Sequence, residues 1–499
     1  MINAAETARR ARYLRTCRIL AVLSTGAALL YLKWLLIDAR PDNLVLFWLL
    51  VSAEVFNILQ AAGFWLTICF QTWTEPPTPD FAASSETVDI FITVAGEPAQ
   101  IVEQTLRGAL AIRHPRKSVY VLDDGRSPEI EALAWTLGAG YLTRRDRRGA
   151  KAGNLNEALA RTTGDFVVIF DADHVPVPAF LERTMGAFTG PRVSFVQTPQ
   201  YYANRTTNRV AAGAHEQQEI FYGPIMRGRN FFGAAFSCGT NVVFRRSALR
   251  EVGGIPEDSI TEDLRVSLLL LRAGYRSEYV PVPLAYGLGP VDVAGYFGQQ
   301  LRWARGGLEI LLRRHPFFRG MGVGATLEYA FSFAYWFSGL AYSVYLILPV
   351  AYLLFGVRPV QAPNQYPVYF LPYILITLAT MAYASEFKVT FRALWFTLAS
   401  FPVHIRAMVS TIIGRATGFF VTPKSAGAVS FKPVVVHAIA ISFLLAAIVM
   451  GGTARGLTPA VLNNVAFALG HVLIMQGFVR YAASPEYPGE SSEEETTDV

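Results

Sequence analysis

Long apolar runs bracket one extended stretch of mixed polarity. The runs cover Cys17–Ile37, Leu44–Phe70, Leu327–Leu354, Tyr366–Ala384, Val434–Met450 and Pro459–Val479. Each is near or above the ~20 residues that a helix needs to cross a bilayer. They predict about six spans, two before and four after a segment from Phe81 to Met321 that contains no such run. Within that segment, short β-branched runs at Val88–Val94, Ser118–Leu122, Phe166–Phe170 and Val193–Gln197 alternate with helical patterns such as Ala99–Ile112 and Gly153–Ala160. That alternation predicts an α/β domain inserted between transmembrane helices. Phe387–Ile413 is also apolar and aromatic, but it carries Lys388, Arg392, Pro402, His404 and Arg406. Charges near the centre of a span cost about 3 kcal/mol each or more, so an amphipathic helix lying at the membrane interface is expected there. The expected organisation is a membrane segment over 1–80, a soluble domain over 81–321, a second membrane region over 322–482, and an acidic tail over 483–499 with a disordered composition.

Composition supports this division. Of the 499 residues, 52% are hydrophobic and only 16% charged, against about a quarter charged in soluble proteins. Arg9, Arg10, Arg12, Arg15 and Arg18 precede the first run, as in a cytoplasmic flank. The run is longer than a signal-peptide core and lacks a cleavage site, so a retained anchor is expected. Two spans then place the soluble domain in the cytoplasm of a multi-pass plasma (inner) membrane protein. The net charge of +6 comes with no nucleic-acid motif, so no nucleic-acid partner is expected. Cys17, Cys69 and Cys238 are too scattered for a disulfide framework or a zinc site.

Four short motifs carry candidate chemistry. Asp123-Asp124-Gly125 directly follows a strand, and ligands of α/β sheets bind beyond the carboxyl ends of strands. The same residues also suit an ordinary Asp-Gly turn. Asp171-Ala172-Asp173-His174 follows a strand apolar enough to be buried, and alternate carboxylates of an extended chain point the same way. Such a pair suits Mg²⁺ or Mn²⁺ bridging to phosphate oxygens, where a departing diphosphate needs its charge neutralised. Its plainer reading is a solvated loop. Thr261-Glu262-Asp263 precedes the helical run Leu264–Arg272; Asp263 is placed to act as a general base, although Thr261 also reads as an N-cap with acids in the first turn. Gln299, Arg302 and Trp303 share one helix face. Arg302 suits diphosphate oxygens and Trp303 suits stacking on a sugar ring, while an interfacial aromatic anchor explains the same residues.

In this order, and between membrane spans, D-D-G, D-x-D, T-E-D and Q-x-x-R-W resemble the family 2 processive glycosyltransferases of the cellulose synthase type. Lys151-Ala-Gly-Asn-Leu-Asn156, Gln197-Thr-Pro199, Phe236-Ser-Cys-Gly-Thr240 and Phe419-Phe-Val-Thr-Pro-Lys424 extend the resemblance to roughly Val88–Val479. It implies a GT-A fold with a mixed, mainly parallel sheet, and an inverting transfer from a UDP-sugar to a growing polysaccharide that then crosses the membrane. Implied roles are catalysis by Asp263, with Glu262 and Thr261; donor binding by Glu97, Asp123, Asp124, Lys151, Asp171, Asp173, Gln299, Arg302, Thr422 and Lys424; acceptor binding by Trp303, Cys238 and His174; and Mg²⁺ or Mn²⁺ at Asp171 and Asp173. Phe419–Lys424 resembles the family's gating loop and favours a β-glucan such as cellulose or a mixed-linkage relative. Hyaluronan-, chitin- or mannan-type products, a non-processive transferase acting on a lipid carrier, and a nucleotide-binding transporter without catalysis are the alternatives. Membrane lipid and envelope export subunits are the further implied partners. The short stretch after the last span holds no cyclic-di-GMP-binding PilZ motif, so no cyclic-di-GMP binding in cis is expected. Val94-Ala95-Gly96-Glu97 departs from the family's Thr-Tyr-Asn-Glu, and Ser425 stands where the loop usually has glycine.

Overall fold

Where β-branched and aromatic residues run without interruption, both faces of the extended chain are covered. The computed structural model describes residues 4–81, 85–314, 320–361, 365–414 and 430–485. Its strands are β1 (Val88–Val94), β2 (Lys117–Asp123), β3 (Gly140–Leu142), β4 (Phe166–Asp171), β5 (Val175–Pro176), β6 (Val193–Gln197), β7 (Tyr201–Tyr202), β8 (Val242–Arg245), β9 (Arg276–Tyr279) and β10 (Ala285–Gly287). Seven of them form one sheet in the order β3-β2-β1-β4-β8-β6-β9, and β5-β10-β7 form a small second sheet. β8 runs antiparallel between β4 and β6, while the other pairings of the large sheet are parallel. This is the mixed, mainly parallel sheet expected.

Every residue of β1 is buried. Ile90, Ile92 and Val94 pack with Val102 and Leu106 of helix Ala99–Ala111. Phe91 faces the opposite layer, with Leu155 of helix Ala150–Arg161 and Val266 of helix Glu262–Arg272. Helices on both faces explain the lack of polar alternation in the strand. Its one charged residue, Asp89, is buried but paired with Arg246 at 2.6 Å, and it also accepts a hydrogen bond from the Gly164 amide.

Among the described residues, seven helical stretches are long and apolar enough to cross a membrane: Ala4–Asp38, Leu44–Cys69, Val323–Phe355, Tyr366–Ala384, Phe391–Ile413, Lys432–Arg455 and Pro459–Ala483. Six match the expected runs. The seventh divides into helices Phe391–Ala399 and Phe401–Ile413, with Pro402 in the first turn of the second. Proline disfavours helical geometry in the residue before it and suits a helix start. At 1.5 Å per residue the pieces are about 14 and about 20 Å long, each short of the roughly 30 Å hydrocarbon core. The first piece packs on helix Arg209–Ile220 of the α/β domain, where a side chain on Gly213 would collide with the Phe396 ring. The second lies along helix Val293–Arg313.

Two buried arginines fasten the domain to the bundle. Arg227 donates to Gln71 and Glu386, each at 3.0 Å, and lies over the Trp73 ring. Arg229, with no exposed surface, donates to the carbonyls of Ala234 (3.0 Å) and Glu328 (2.8 Å) and to the Ser332 hydroxyl (2.6 Å).

Candidate active site

Parallel register brings three strand ends to one edge. Val94 of β1 lies opposite Asp123 of β2, and Thr93 opposite Asp171 of β4. The residues after these strands therefore share the crevice beyond the carboxyl ends. Asp123 itself is fully buried and shapes the turn. Its carboxylate accepts from the amides of Gly125 (2.6 Å) and Ser127 (2.8 Å) and from the Tyr141 hydroxyl (2.9 Å). Asp124 receives both arms of the Arg144 guanidinium at 2.7 Å. Glu97 accepts from the Ala95 amide at 2.6 Å; burial, with Asp171 and Asp173 nearby, keeps its carboxyl above the usual range.

The centre of the site is an ammonium among three carboxylates. Helix Ala150–Arg161 starts from a tight turn in which Gly149 and Ala150 both have positive φ, 71° and 45°. Left-handed geometry is uncommon for alanine, and such strain tends to be stored at functional positions. The turn delivers Lys151, whose Nζ pairs with Asp171 and donates to the Gly239 carbonyl at 2.9 Å. Burial works against that charge, but Asp171, Glu262 and Asp263 raise the lysine above its ordinary value. Desolvation works against the charge of the partly exposed Asp171 carboxyl, but Lys151 and His174 hold it below the usual range. Gly239 has φ 80°, and a Cβ placed on it would sit 3.2 Å from Asp263 Oδ2 and 3.6 Å from Lys151 Nζ. The backbone at Gly239 is thus pressed between the two charged groups.

Asp263 accepts from the Leu264 amide at 2.8 Å. Burial raises its pKa, while that hydrogen bond, Lys151 and Arg302 limit the rise; Glu262 is raised by burial and by Asp263. Thr261 occupies the N-cap position of helix Glu262–Arg272, yet its hydroxyl makes no capping bond and has no partner among the described residues. The capping account of Thr261 therefore fails. Its side chain presses instead on Gly306 of helix Val293–Arg313, where any side chain would collide with it. That helix carries Gln299, which donates to the Tyr202 hydroxyl at 3.4 Å, Arg302, which acts electrostatically on Glu262 and Asp263, and half-buried Trp303.

The remaining walls come from buried polar locks. Gln197 accepts from the Cys238 amide at 2.9 Å and donates to the Thr240 carbonyl at 2.9 Å. Thr240 in turn accepts from the Asp171 amide at 2.9 Å. Burial pushes the Cys238 thiol up to about 12, so it stays protonated and is not a nucleophile. His174 is buried against Gly287, and its ring nitrogens make no hydrogen bond among the described residues. Asp173 accepts from the Leu288 amide at 3.1 Å.

The profile of the family described as Glycosyltransferase like family 2 matches residues 86–306, and that described as Cellulose synthase matches residues 250–428. Cellulose synthase 1 of Komagataeibacter xylinus is 33% identical over 460 residues, which span 88% of this chain and 29% of that protein. The UDP-forming cellulose synthase catalytic subunit of Komagataeibacter sucrofermentans is 32% identical over 465 residues, 90% of this chain and 62% of the relative. That of Pseudomonas fluorescens is 32% identical over 430 residues, 81% and 57%. The chain thus carries a family 2 glycosyltransferase domain that continues into a cellulose synthase-type region. It spans between 29% and 62% of the length of these relatives. A solved mannosyltransferase of Pyrobaculum calidifontis, in complex with GDP-Man and Mn²⁺, shares the fold with a TM-score of 0.54 at 17% identity, covering 74% of this chain and 99% of that one. The α/β domain is thus a GT-A-type domain.

For this family 2 chain, the structure gathers Glu97, Asp123, Asp124, Lys151, Asp171, Asp173, Glu262, Asp263 and the Gln299–Trp303 face around one crevice. Thr422 and Lys424 lie outside the described residues. Sequence reasoning missed Arg144, which neutralises Asp124. It also missed Gly239 and Gly306, whose glycines permit the close approaches. Among the described residues no third His, Cys, Asp or Glu joins Asp171 and Asp173 in a closed cage. Two carboxylates at one strand end fit a hard divalent cation that takes its other ligands from phosphate and water.

Proposed function

We propose that this chain is a processive, inverting glycosyltransferase that polymerises UDP-glucose into a β-glucan and passes the product through its membrane helices from a domain on the cytoplasmic side. The observation that carries the reading is that Asp263 and Lys151, itself paired with Asp171, both lie beside Gly239. The arrangement supplies a proton acceptor beside a patch that neutralises a leaving diphosphate. The acceptor hydroxyl would lose its proton to Asp263 as its oxygen bonds to the anomeric carbon of the donor. The bond from that carbon to the diphosphate breaks on the opposite face, releasing UDP with inversion. Lys151 and Arg302 offset the negative charge that develops on the diphosphate. Asp171 and Asp173 would hold Mg²⁺ or Mn²⁺, which supplies further Lewis-acid neutralisation when bound. Trp303, Cys238 and His174 line the acceptor side. The UDP-forming relatives and the Cellulose synthase profile support glucose as the sugar.

The test is incubation of the purified protein with a panel of radiolabelled UDP-sugars, alongside Asp263→Asn. The expected result is incorporation of UDP-glucose into a high-mass product sensitive to β-glucanase. The Asn variant should bind UDP but turn over about 10²–10⁴-fold more slowly, the usual effect of losing a general base. Normal turnover by that variant would remove Asp263 from the chemistry. Incorporation from a different UDP-sugar would reassign the product, and short or lipid-linked products would end the processive reading.

A further inference from the structure

The edge strand β3 runs into Arg144-Arg145-Asp146-Arg147-Arg148, and the chain then enters helix Ala150–Arg161 at Gly149. β3 is parallel to β2, with Leu142 opposite Leu122, so this segment begins at the same edge of the sheet as Asp123 and Asp124. Arg147 precedes Lys151 by four residues, which keeps their Cα atoms within about 14 Å. We propose that the exposed guanidiniums of Arg145 and Arg147 form an electrostatic rim that draws the nucleoside diphosphate of the donor into the crevice and holds back the released UDP. The inference rests on the crevice being a nucleotide-sugar site, the function proposed above.

The other arginines are engaged in holding the segment in place. Arg144 grips both oxygens of Asp124, and the same guanidinium donates to the carbonyls of Arg148 and Ala150, each at 2.6 Å. Arg148 pairs with Asp146, whose carboxylate also accepts from the Arg148 amide at 2.9 Å. Arg126 donates to the carbonyls of Arg144, at 2.7 Å, and of Arg145. Its own φ of 56° is uncommon for a residue with a side chain. Glu257, the carboxylate against Gly149, accepts from Asn156 at 2.8 Å. Arg145 and Arg147 are exposed, and their side chains make no hydrogen bond or ion pair with the described residues. Like charges so crowded repel one another, and a loose loop would spread to relieve that. Hydrogen bonds to the carbonyls of Arg144, Arg145, Arg148 and Ala150 prevent the spreading and keep both charges at the mouth.

The crevice gives these charges a use. Glu97, Asp171, Asp173, Glu262 and Asp263 interact there with one another and with Lys151 and Arg302. A diphosphate approaching such a floor meets repulsion at a distance, because the carboxylates offset the inner cations. Cations at the mouth reverse the sign of that outer field. A cleft focuses such a field and raises the local concentration of an oppositely charged substrate.

The experiment titrates the full chain in non-ionic detergent with UDP and Mn²⁺ by calorimetry. It is run at ionic strengths of about 0.01 M and about 1 M, where the Debye length is about 30 Å and about 3 Å. Arg145→Gln with Arg147→Gln should weaken UDP binding about tenfold at the low ionic strength, the lower end of the range for electrostatic attraction into a cleft. At the high ionic strength the loss should shrink to less than about twofold. UDP-glucose has one ionisable phosphate oxygen fewer than UDP, so its loss in the same variant should be smaller. Arg145→Lys with Arg147→Lys keeps the charge and should bind UDP as the parent does, which separates charge from damage to the loop. Equal affinity of parent and Gln variant at low ionic strength overturns the proposal. A loss that survives 1 M salt, or that the Lys variant shares, also overturns it and assigns the arginines to the shape of the loop. UDP binding is read without regard to which sugar is transferred or how long the product grows. A parent that binds no UDP would overturn the proposed function of the crevice, and this inference with it.

Discussion

At Asp263, the proposed general base, two opposing effects set the proton affinity. Burial favours the neutral acid; the Leu264 amide and the Lys151 and Arg302 charges favour the carboxylate, and burial wins. Activity that needs the ionised base is lost as pH falls through its raised pKa, so the acid limb of kcat/KM should lie above the ~3.9 of a free aspartate. Removing a positive neighbour destabilises the carboxylate and raises that pKa further. Lys151→Met should therefore move the acid limb to higher pH, whereas Lys151→Arg should leave it near the parent's position. The readout is the position of the limb in a radiolabel assay rather than the height of the profile, because Lys151 also serves the donor. A limb unmoved in the Met variant would show that Lys151 does not act on the base. Residue identity revealed much of this site. Acids after strands and the K-A-G-N-L-N run marked the crevice, because charged groups there have few structural reasons to exist. What stayed hidden were uses set by contact. Gly153 is there because a side chain would strike Arg144 and the Arg148 carbonyl, and Asn154 because it donates to the Leu122 carbonyl at 3.0 Å. Neither role has a pattern along the chain.

Among the elements, legibility followed length and burial. β1, β4 and β6 matched their expected limits to within a residue, because five or more consecutive buried positions leave a continuous apolar signal. β3, β8 and β9 are three or four residues long and interrupted by arginine, glutamate or glycine, so no period emerges from them. The membrane helices were legible for the same reason as the long strands. The division of Phe391–Ile413 at Ser400 follows from Pro402, while the packing of its first half on the α/β domain depends on Gly213 of the partner helix. The helix that carries Gln299, Arg302 and Trp303 shows how such a contact bears on chemistry. Its distance from the catalytic turn is set by Gly306 against Thr261. Gly306→Ala should push the helix away and lower kcat by about 10²-fold, the scale of a 1 Å misplacement in an active site. The protein should stay folded, since alanine favours a helix more than glycine does. Steady-state kinetics with size-exclusion profiles would check it. Parent-like kcat in a monodisperse variant would show that the helix tolerates the shift.

Across the whole molecule, Arg229 ties the GT-A-type domain to the membrane bundle. It bonds to the Ala234 carbonyl just before Phe236–Thr240, and to the Glu328 carbonyl and Ser332 on the membrane helix. Its guanidinium lies 4.7 Å from the centroid of Phe236 and 4.6 Å from that of Tyr329. Glu328 is 3.9 Å away and equally buried, and it accepts from Thr67 of the second membrane helix at 2.8 Å. The Phe236–Thr240 segment is thereby tied to two membrane helices through one cation. Breaking a buried pair from one side typically costs about 3–5 kcal/mol because a charge is left uncompensated, whereas replacing both partners with apolar groups is often close to neutral. Arg229→Leu should therefore lower the thermal inactivation temperature in detergent markedly, and Arg229→Leu with Glu328→Leu should recover most of the loss. Polymer synthesis should separate from stability. The double variant keeps the fold but lacks the bonds to Ala234, so its kcat should remain depressed while its KM for the donor stays near the parent's. Full recovery of both stability and kcat would reduce Arg229 to a charge partner of Glu328. A double variant as unstable as the single would show that the carbonyl bonds, rather than the ion pair, hold the domain to the bundle.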